Sequence, residues 1–491
     1  MSVQVIDKSS GKYRVVKTMG SSLDIAIIDD LYRKGKQWII SQSGIYEMDF
    51  ENIERSFQQF MDSIESVKIA GIDLLLGKLF DEIGFNKISD PIFKQLVLYR
   101  LVYPGSKLRT VEYLQRFEQI SWNEDQVYRY LDKLHKSQKD LVQQISYEHT
   151  KQLFGSAPSM VFYDVTTLYF EIEREDDLRR TGFSKDGKQQ NPQIVLGLLV
   201  SKGGYPLAYE IYSGNKFEGH TLMPVLECFK EKYRLSNLTI IADAGLLSTQ
   251  NIQLLIEKEY DFIIGARLKN ESRGLQERIL SSEFKNGETK VFEKSNATNL
   301  IVSYANNRAI KDSFNRERGL RRLEKQMGKG RLTKSHINNK GYNKYLKMNG
   351  DVTIEIDYEK YYADGKWDGL KGYITNSKLK PQEIIDNYNQ LWHIEKAFRV
   401  TKTDLKIRPI YHRLQKRIEA HICLTFVAYK IYKELERRLM EMKAGISATK
   451  AIDIASFILA ITVKIPSTGE IKYQVLLKTE EQKLLAKLFK F

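Results

Sequence analysis

The stretch Met160–Phe170, MVFYDVTTLYF, decides how this chain is read. Its β-branched and aromatic residues describe a strand, yet Asp164 sits in the middle of it. A carboxylate beside a core is costly unless something compensates it. A second case follows at 238–245, LTIIADAG, where Asp243 closes another short apolar run. A third acid, Glu395, lies in YNQLWHIEKAFRVTK (388–402), a helical segment with Arg399 and Lys402 one and two turns further on. Divalent cations compensate such groups, and Mg²⁺ is usually held by a few carboxylates plus substrate phosphate oxygens. The arrangement points to metal-dependent chemistry on a polyphosphate.

Outward from that strand, 191–214 reads as a β-hairpin turning at Gly203 and Gly204. An amphipathic helix (220–234), the strand ending on Asp243, a helix opened by Ser248 (248–260) and a strand (261–268) follow. Three strands, helix, strand, helix, strand predicts an α/β fold with a mixed sheet and helices packed on it. If the first and fourth strands are neighbours, Asp164 and Asp243 emerge side by side, where sites of open sheets cluster. A helix crossing the sheet would bring Glu395 to the same spot. Three carboxylates suffice to hold two Mg²⁺ for an in-line phosphoryl displacement.

The remaining organisation is coarser. Residues 1–60 mix β-like runs, YRVVKTM and KQWIISQSGIYEM, with turns, and no role is assigned to them. Residues 61–155 carry helical spacing, from SVKIAGIDLLLGKLFDEIGF onward. Two short helices joined at YPGSK (103–107) make this region a candidate helix-turn-helix and a candidate for binding DNA ends, with plain helical bundle the equal alternative. Residues 156–270 form the first half of the core and 371–440 the second. Between them, 271–370 reads as a basic insertion with β-like pieces such as DVTIEIDYEKYYA. In the second half, 380–405 reads as one long helix opened by a Pro-containing turn, followed by another over about 415–440. A C-terminal segment, 441–491, adds helix and the strand pair KIPSTGEIKYQVL.

Charge agrees with a polyanionic partner. The 491 residues carry a formal net charge of +15, and it is clustered. Ile301–Gly350 holds thirteen Lys or Arg against three acids, and Lys396–Arg417 holds eight against Asp404 alone. Such an excess favours nucleic acid. Two cysteines without a CxxC pair lack zinc-site spacing and suit buried free thiols in a reducing cytoplasm. No apolar leader opens the chain and no run reaches 18 apolar residues, so neither secretion nor a membrane span is expected.

On a single helix, Tyr388, Leu391, Glu395, Arg399 and Lys402 share one face. Arg399 and Lys402 would follow a DNA backbone into the metal site. Trp392 beside them would stack on a base or join the core with equal weight. Ile385 and Phe398 are expected in the core, His393 on the helix surface and His421 in the core, and Thr167 is a candidate support for the first metal.

YDVTT, ADAG and Tyr388-x2-Leu-x3-Glu395-x6-Lys402 together resemble the three signatures of DDE-type insertion-sequence transposases, over about residues 157–435. The sub-group resembled has a Tyr-x2-Arg-x3-Glu-x6-Lys signature. The resemblance implies an RNase H-like catalytic core interrupted by a β-rich insertion, here preceded by the mostly helical N-terminal region. It implies a bacterial, cytoplasmic enzyme that cleaves transposon ends and joins the 3′-hydroxyls to target DNA. Asp164, Asp243 and Glu395 would be catalytic ligands of two Mg²⁺ ions, with Mn²⁺ able to substitute. Tyr388 and Lys402 would hold DNA, and a homodimer would form on paired inverted-repeat ends. One departure stands out: Leu391 occupies the signature's Arg position, and a leucine cannot contact phosphate. The competing readings are an RNase H-like nuclease that does not join strands, and a DNA-binding module with a dead catalytic core.

Overall fold

The computed structural model describes residues 1–43, 57–184, 187–246, 248–294, 298–349, 353–465 and 468–491. The chain divides into two compact units, Met1–Val67 with Ala460–Leu476, and Lys68–Leu459 with Leu477–Phe491. The smaller unit opens with an antiparallel hairpin, β1 (Ser2–Asp7) and β2 (Arg14–Ser21), on which α1 (Ile25–Ser43) packs. The expected β character of KQWIISQSGIYEM is overturned over its described part, which lies in α1; positions 44–48 fall outside the described residues. Gly35 in that helix faces Met19 and Val5 of the hairpin, so helical packing outweighs local β-propensity. The first residues of SVKIAGIDLLLGKLFDEIGF are likewise not helical. They belong to strand β3 (Ile64–Ile69), which joins the C-terminal pair in a three-stranded sheet.

The larger unit is helical at its start: α2 (Lys78–Ile83), α3 (Pro91–Val102), α4 (Lys107–Tyr113) and the 31-residue α5 (Glu124–Phe154). Asp90, Ser106 and Asn123 cap the last three with side-chain acceptors. Helix α3 has apolar residues on most of its circumference and is largely buried, as a core helix is.

Then the predicted alternation appears: β4 (Met160–Tyr169), β5 (Gln193–Ser201), β6 (Pro206–Ser213), α6 (Leu222–Tyr233), β7 (Thr239–Ala242), α7 (Thr249–Glu257) and β8 (Asp261–Ala266). In space the order is β6-β5-β4-β7-β8, with β5 antiparallel to its neighbours and β4, β7 and β8 mutually parallel. This is the RNase H-like sheet, and it sets the first and fourth strands side by side as expected. One face packs Tyr163, Val165 and Leu199 against Leu226 and Phe229 of α6 and Leu255 of α7.

Residues 271–370 are more mixed than their β-like pieces suggest. Helix α8 (Arg273–Leu280) leads to β9 (Thr289–Glu293) and β10 (Asn299–Tyr304), then the 23-residue α9 (Asn306–Gly328). A small hairpin, β11 (Leu346–Asn349) with β12 (Thr353–Ile356), and α10 (Tyr358–Gly365) follow. Asp357 accepts from Lys360 N, so YEKYYA is helix rather than a continuation of the strand. Strand β13 (Leu370–Thr375) pairs antiparallel with both β8 and β10, so β10 and β9 extend the core to eight strands.

The expected long helix over 380–405 is two: α11 (Pro381–Asn389) and α12 (Trp392–Thr403), broken at Gln390–Leu391. Helix α13 (Gln415–Glu441) is almost wholly buried, packing on α3, α5, α12 and β6. Helix α14 (Ala448–Ala455), β14 (Leu459–Lys464), β15 (Ile471–Leu476) and α15 (Glu480–Phe489) complete the chain. Strands β14 and β15 are the expected C-terminal pair, and they join the residues before 67 in the smaller unit. Among the described residues no helix is long and apolar enough to cross a membrane.

Candidate active site

The site is built on two adjacent strands. Tyr163 of β4 and Ala242 of β7 are register partners in a parallel pair. Asp164 and Asp243 are the next residues on each, so they stand level on strands roughly 4.8 Å apart. Tyr163 and Ala242 face the α6–α7 core, and alternation turns both aspartates to the other side. Asp164 Oδ1 accepts from Val165 N at 2.8 Å and Asp243 Oδ1 from Ala244 N at 2.7 Å. Each carboxylate is thus steadied by its own backbone. Thr167, three residues beyond Asp164, alternates to the opposite face and is not placed to support a metal there.

Tyr388, at the end of α11, donates its hydroxyl to Asp243 Oδ1 at 3.2 Å. Its ring lies edge-on to Tyr373 of β13, with centroids 4.8 Å apart. Tyr373 is the register partner of Gly265 on β8. A Cβ at Gly265 would sit 2.4 Å from Tyr388 Oη and 3.2 Å from Ala244 N, so the absent side chain makes room for the tyrosine to reach the aspartate. Lys371, two residues before Tyr373, holds its ammonium 4.7 Å from the Tyr388 ring centroid.

Helix α12 carries Glu395 on an exposed face and packs on β4. Its first turn rests on the β5–β6 turn, where Gly204, at φ +81°, would bring a Cβ within 3.3 Å of His393 Cβ. Asp243 and Glu395 act on the same neighbours. Burial raises the Tyr388 hydroxyl's pKa, and both carboxylates add to the rise. Burial and Arg308 lower that of Lys371, and the same two carboxylates oppose them. Asp164 and Asp243 are therefore brought together, and Glu395 lies within electrostatic reach on the same side. Among the described residues no three His, Cys, Asp or Glu side chains form a ready-made metal cage. The donor set, carboxylate oxygens without thiol or imidazole, suits a hard divalent cation such as Mg²⁺.

The sequence family described as "Transposase DDE domain" matches residues 156–431, more than half of the chain. The chain belongs to this family. No curated protein matches it in sequence. Among solved structures, it is similar to a piggyBac transposase synaptic complex with hairpin DNA, at 10% identity and a TM-score of 0.37, covering 79% of this chain and 78% of that one. It is also similar to a Mos1 transposase paired-end complex with the left transposon end, at 14% identity and a TM-score of 0.16, covering 46% and 71%. Both scores are too low for either likeness to count towards the fold.

In this transposase domain the expected shared face of Tyr388, Leu391, Glu395, Arg399 and Lys402 is broken by the turn between α11 and α12. Tyr388 and Leu391 are buried, at 7% and 5% exposure. Tyr388 is turned to Asp243 rather than outward. Trp392, Glu395, Arg399 and Lys402 do share a face of α12, exposed except for the half-buried Lys402. Trp392 is 48% exposed and is not a core residue. Phe398 and His421 are buried as expected, whereas Ile385 is half-buried, its neighbour Ile384 taking the core position. His393 is half-buried, and burial followed by Lys433 and Lys396 lowers its pKa to about 4, so it offers no charge for phosphate at neutral pH.

Three residues of the transposase site escaped sequence reading. Lys371 reaches it only through the β13–β8 pairing, and Gly265 matters only because Tyr388 comes so close. Glu218 lies with its Oε2 3.5 Å from where a Gly245 Cβ would be, beside the loop that follows Asp243. A cavity of about 500 Å³ continues from Lys371 towards residues 308–368, lined by Lys269, Arg308 and Arg316 but also by Asp312, Asp364 and Asp368.

Proposed function

We propose that this transposase cleaves both ends of an insertion-sequence element and joins the freed 3′-hydroxyls to target DNA, working as a homodimer on paired ends in a bacterial cytoplasm. The observation that carries the reading is the level pair Asp164 and Asp243 on adjacent parallel strands, with Tyr388 bonded to Asp243, inside the matched domain. Asp164, Asp243 and Glu395 would hold divalent cations, two Mg²⁺ with Mn²⁺ able to substitute. Such ions, when bound, supply charge stabilisation to the attacking and leaving oxygens.

Two displacements at phosphorus follow. Water oxygen bonds to phosphorus as the P–O3′ bond breaks, leaving a 3′-hydroxyl and a 5′-phosphate. The 3′-oxygen then bonds to a target phosphorus, losing its proton to solvent, as the P–O3′ bond there breaks. Tyr388 holds the Asp243 carboxylate in one orientation. Lys371 supplies the positive charge that Leu391 lacks, from the strand beside the helix. Trp392, Arg399 and Lys402 offer stacking and phosphate contacts along the exposed face of α12.

A strand-transfer assay with pre-cleaved inverted-repeat ends and Mg²⁺ tests this reading. Joined product from the natural chain and none from Asp243→Ala is expected. Cleavage without joining would leave an RNase H-like nuclease. No product from either protein would leave a DNA-binding module, and equal joining by both would overturn the role of Asp243.

A further inference from the structure

A second basic cavity, of about 270 Å³, lies within the larger unit away from the aspartates. It is lined by Arg100 from α3, Lys107 from α4, Lys406, Arg408 and His412 from the loop between α12 and α13, and His421 from α13. No acidic residue lines it. Arg100 and Lys107 are 4% and 3% exposed. Arg100 reaches Leu405 O at 3.5 Å and His421 Nδ1 at 3.4 Å, both neutral acceptors. His421 Nε2 lies 3.0 Å from Ile407 O, so this ring is the neutral tautomer with Nδ1 accepting. Burial is the largest influence lowering the pKa of Lys107, with Arg100 adding to it. His412 is pushed down to about 4 by burial, then by Lys107 and Arg100. Arg100 and Lys107 therefore repel one another, and no acidic side chain lines the space between them.

Burying a cation without an anion costs several kcal/mol, and arginine cannot escape by losing its proton. A cavity of this size takes roughly nine waters' volume, ample for a phosphate group with part of a sugar. Its position suits a DNA strand. Ile410 N donates to Tyr169 O at 3.3 Å, and the Arg408 guanidinium lies 5.7 Å from the Tyr169 ring centroid. Tyr169 is five residues along β4 from Asp164, roughly 16 Å at strand rise. That is about five nucleotide steps along one strand of a duplex.

We propose that the Arg100–Lys107–Arg408 cavity binds a phosphate group of the DNA strand, a few nucleotides from the phosphodiester that reacts. The identity of the DNA rests on the transposase reading; the anion site itself does not. The first test is thermal unfolding of the full-length protein in EDTA, with inorganic phosphate against sodium chloride at matched ionic strength. A saturable rise in Tm of about 3 °C or more is expected, and Lys107→Met should abolish it. No rise above chloride in the natural chain would overturn the site, whether or not the variant folds. The second test is binding of an end duplex in EDTA. Lys107→Met should weaken it about tenfold and reduce the salt slope by about one. A phosphate-dependent Tm with unchanged DNA affinity in Lys107→Met would overturn the assignment to DNA. Comparing 5′-phosphorylated with 5′-hydroxyl duplexes separates the two sources: a preference lost in Lys107→Met marks a terminal monoester, and equal binding marks an internal diester. Neither readout requires cleavage or joining, so a failed strand-transfer assay leaves this result standing.

Discussion

Tyr388 ties helix α11 to the end of β7 through its hydroxyl on Asp243. Tyr388→Phe removes that bond and keeps the ring on Tyr373. Hydrogen bonds to charged groups contribute about 1.5–3 kcal/mol, so single-turnover cleavage should slow by at least about tenfold. The melting temperature should stay within about 2 °C. Gly265→Ala should slow cleavage at least as much, because its methyl group would occupy the space of the hydroxyl. The double variant should be only slightly slower than Tyr388→Phe alone, since phenylalanine lacks the atom at 2.4 Å and leaves only the contacts of 3.2 Å to the ring carbon and to Ala244 N. Additive losses in that cycle would show that the two act separately. Asp164 and Asp243 were legible in the sequence because a carboxylate in an apolar run is itself anomalous. Tyr388 was legible as a signature residue but not in its direction. Nothing between Asn389 and Trp392, no proline and no glycine, announces that the helix ends there.

Among the elements, the break between α11 and α12 has its own consequence. It buries Leu391, the position at which the signature carries arginine. Restoring the signature with Leu391→Arg should therefore destabilise rather than improve the enzyme, by about 2–4 kcal/mol in urea unfolding, through an unpaired charge in an apolar site. A variant of natural stability and higher activity would show that the position opens towards DNA. On the other side of α12, Trp392→Ala should leave stability within about 0.5 kcal/mol and weaken binding of an end duplex by about 1–3 kcal/mol if a base stacks there. Sequence periodicity found α13 readily because it carries an apolar face over many turns, and it placed α5 only within a generally helical stretch. It missed α9, whose Ile310 and Phe314 are exposed among basic residues and so follow no buried stripe. It also missed Lys371, because which strand β13 would pair with is not written in β13.

For the molecule as a whole, stability should depend on pH through a group far from the reaction. Burial raises the Glu118 carboxyl to about 7 from an ordinary 4.5; the Tyr99 hydrogen bond opposes this, and Asp73 adds to the rise. The folded state thus holds this proton more tightly than the unfolded chain. Its contribution is complete below 4.5 and is lost as pH rises through 7. Melting temperatures should fall over about pH 5–8, and Glu118→Gln should flatten that fall; an unchanged slope would show that other groups dominate. The pairing of β13 with both β8 and β10 matters at the same scale. The stretch from 271 to 370 departs from the core's alternation, yet two of its strands are hydrogen-bonded into the core sheet. It is not a detachable cassette. Trimming it back to the end of β8 would strip the sheet of two strands and leave β13 with a raw, unpaired margin, an invitation to self-association. A shortened or domain-swapped version of this chain would have to keep β9 and β10, and begin its cut only after Tyr304.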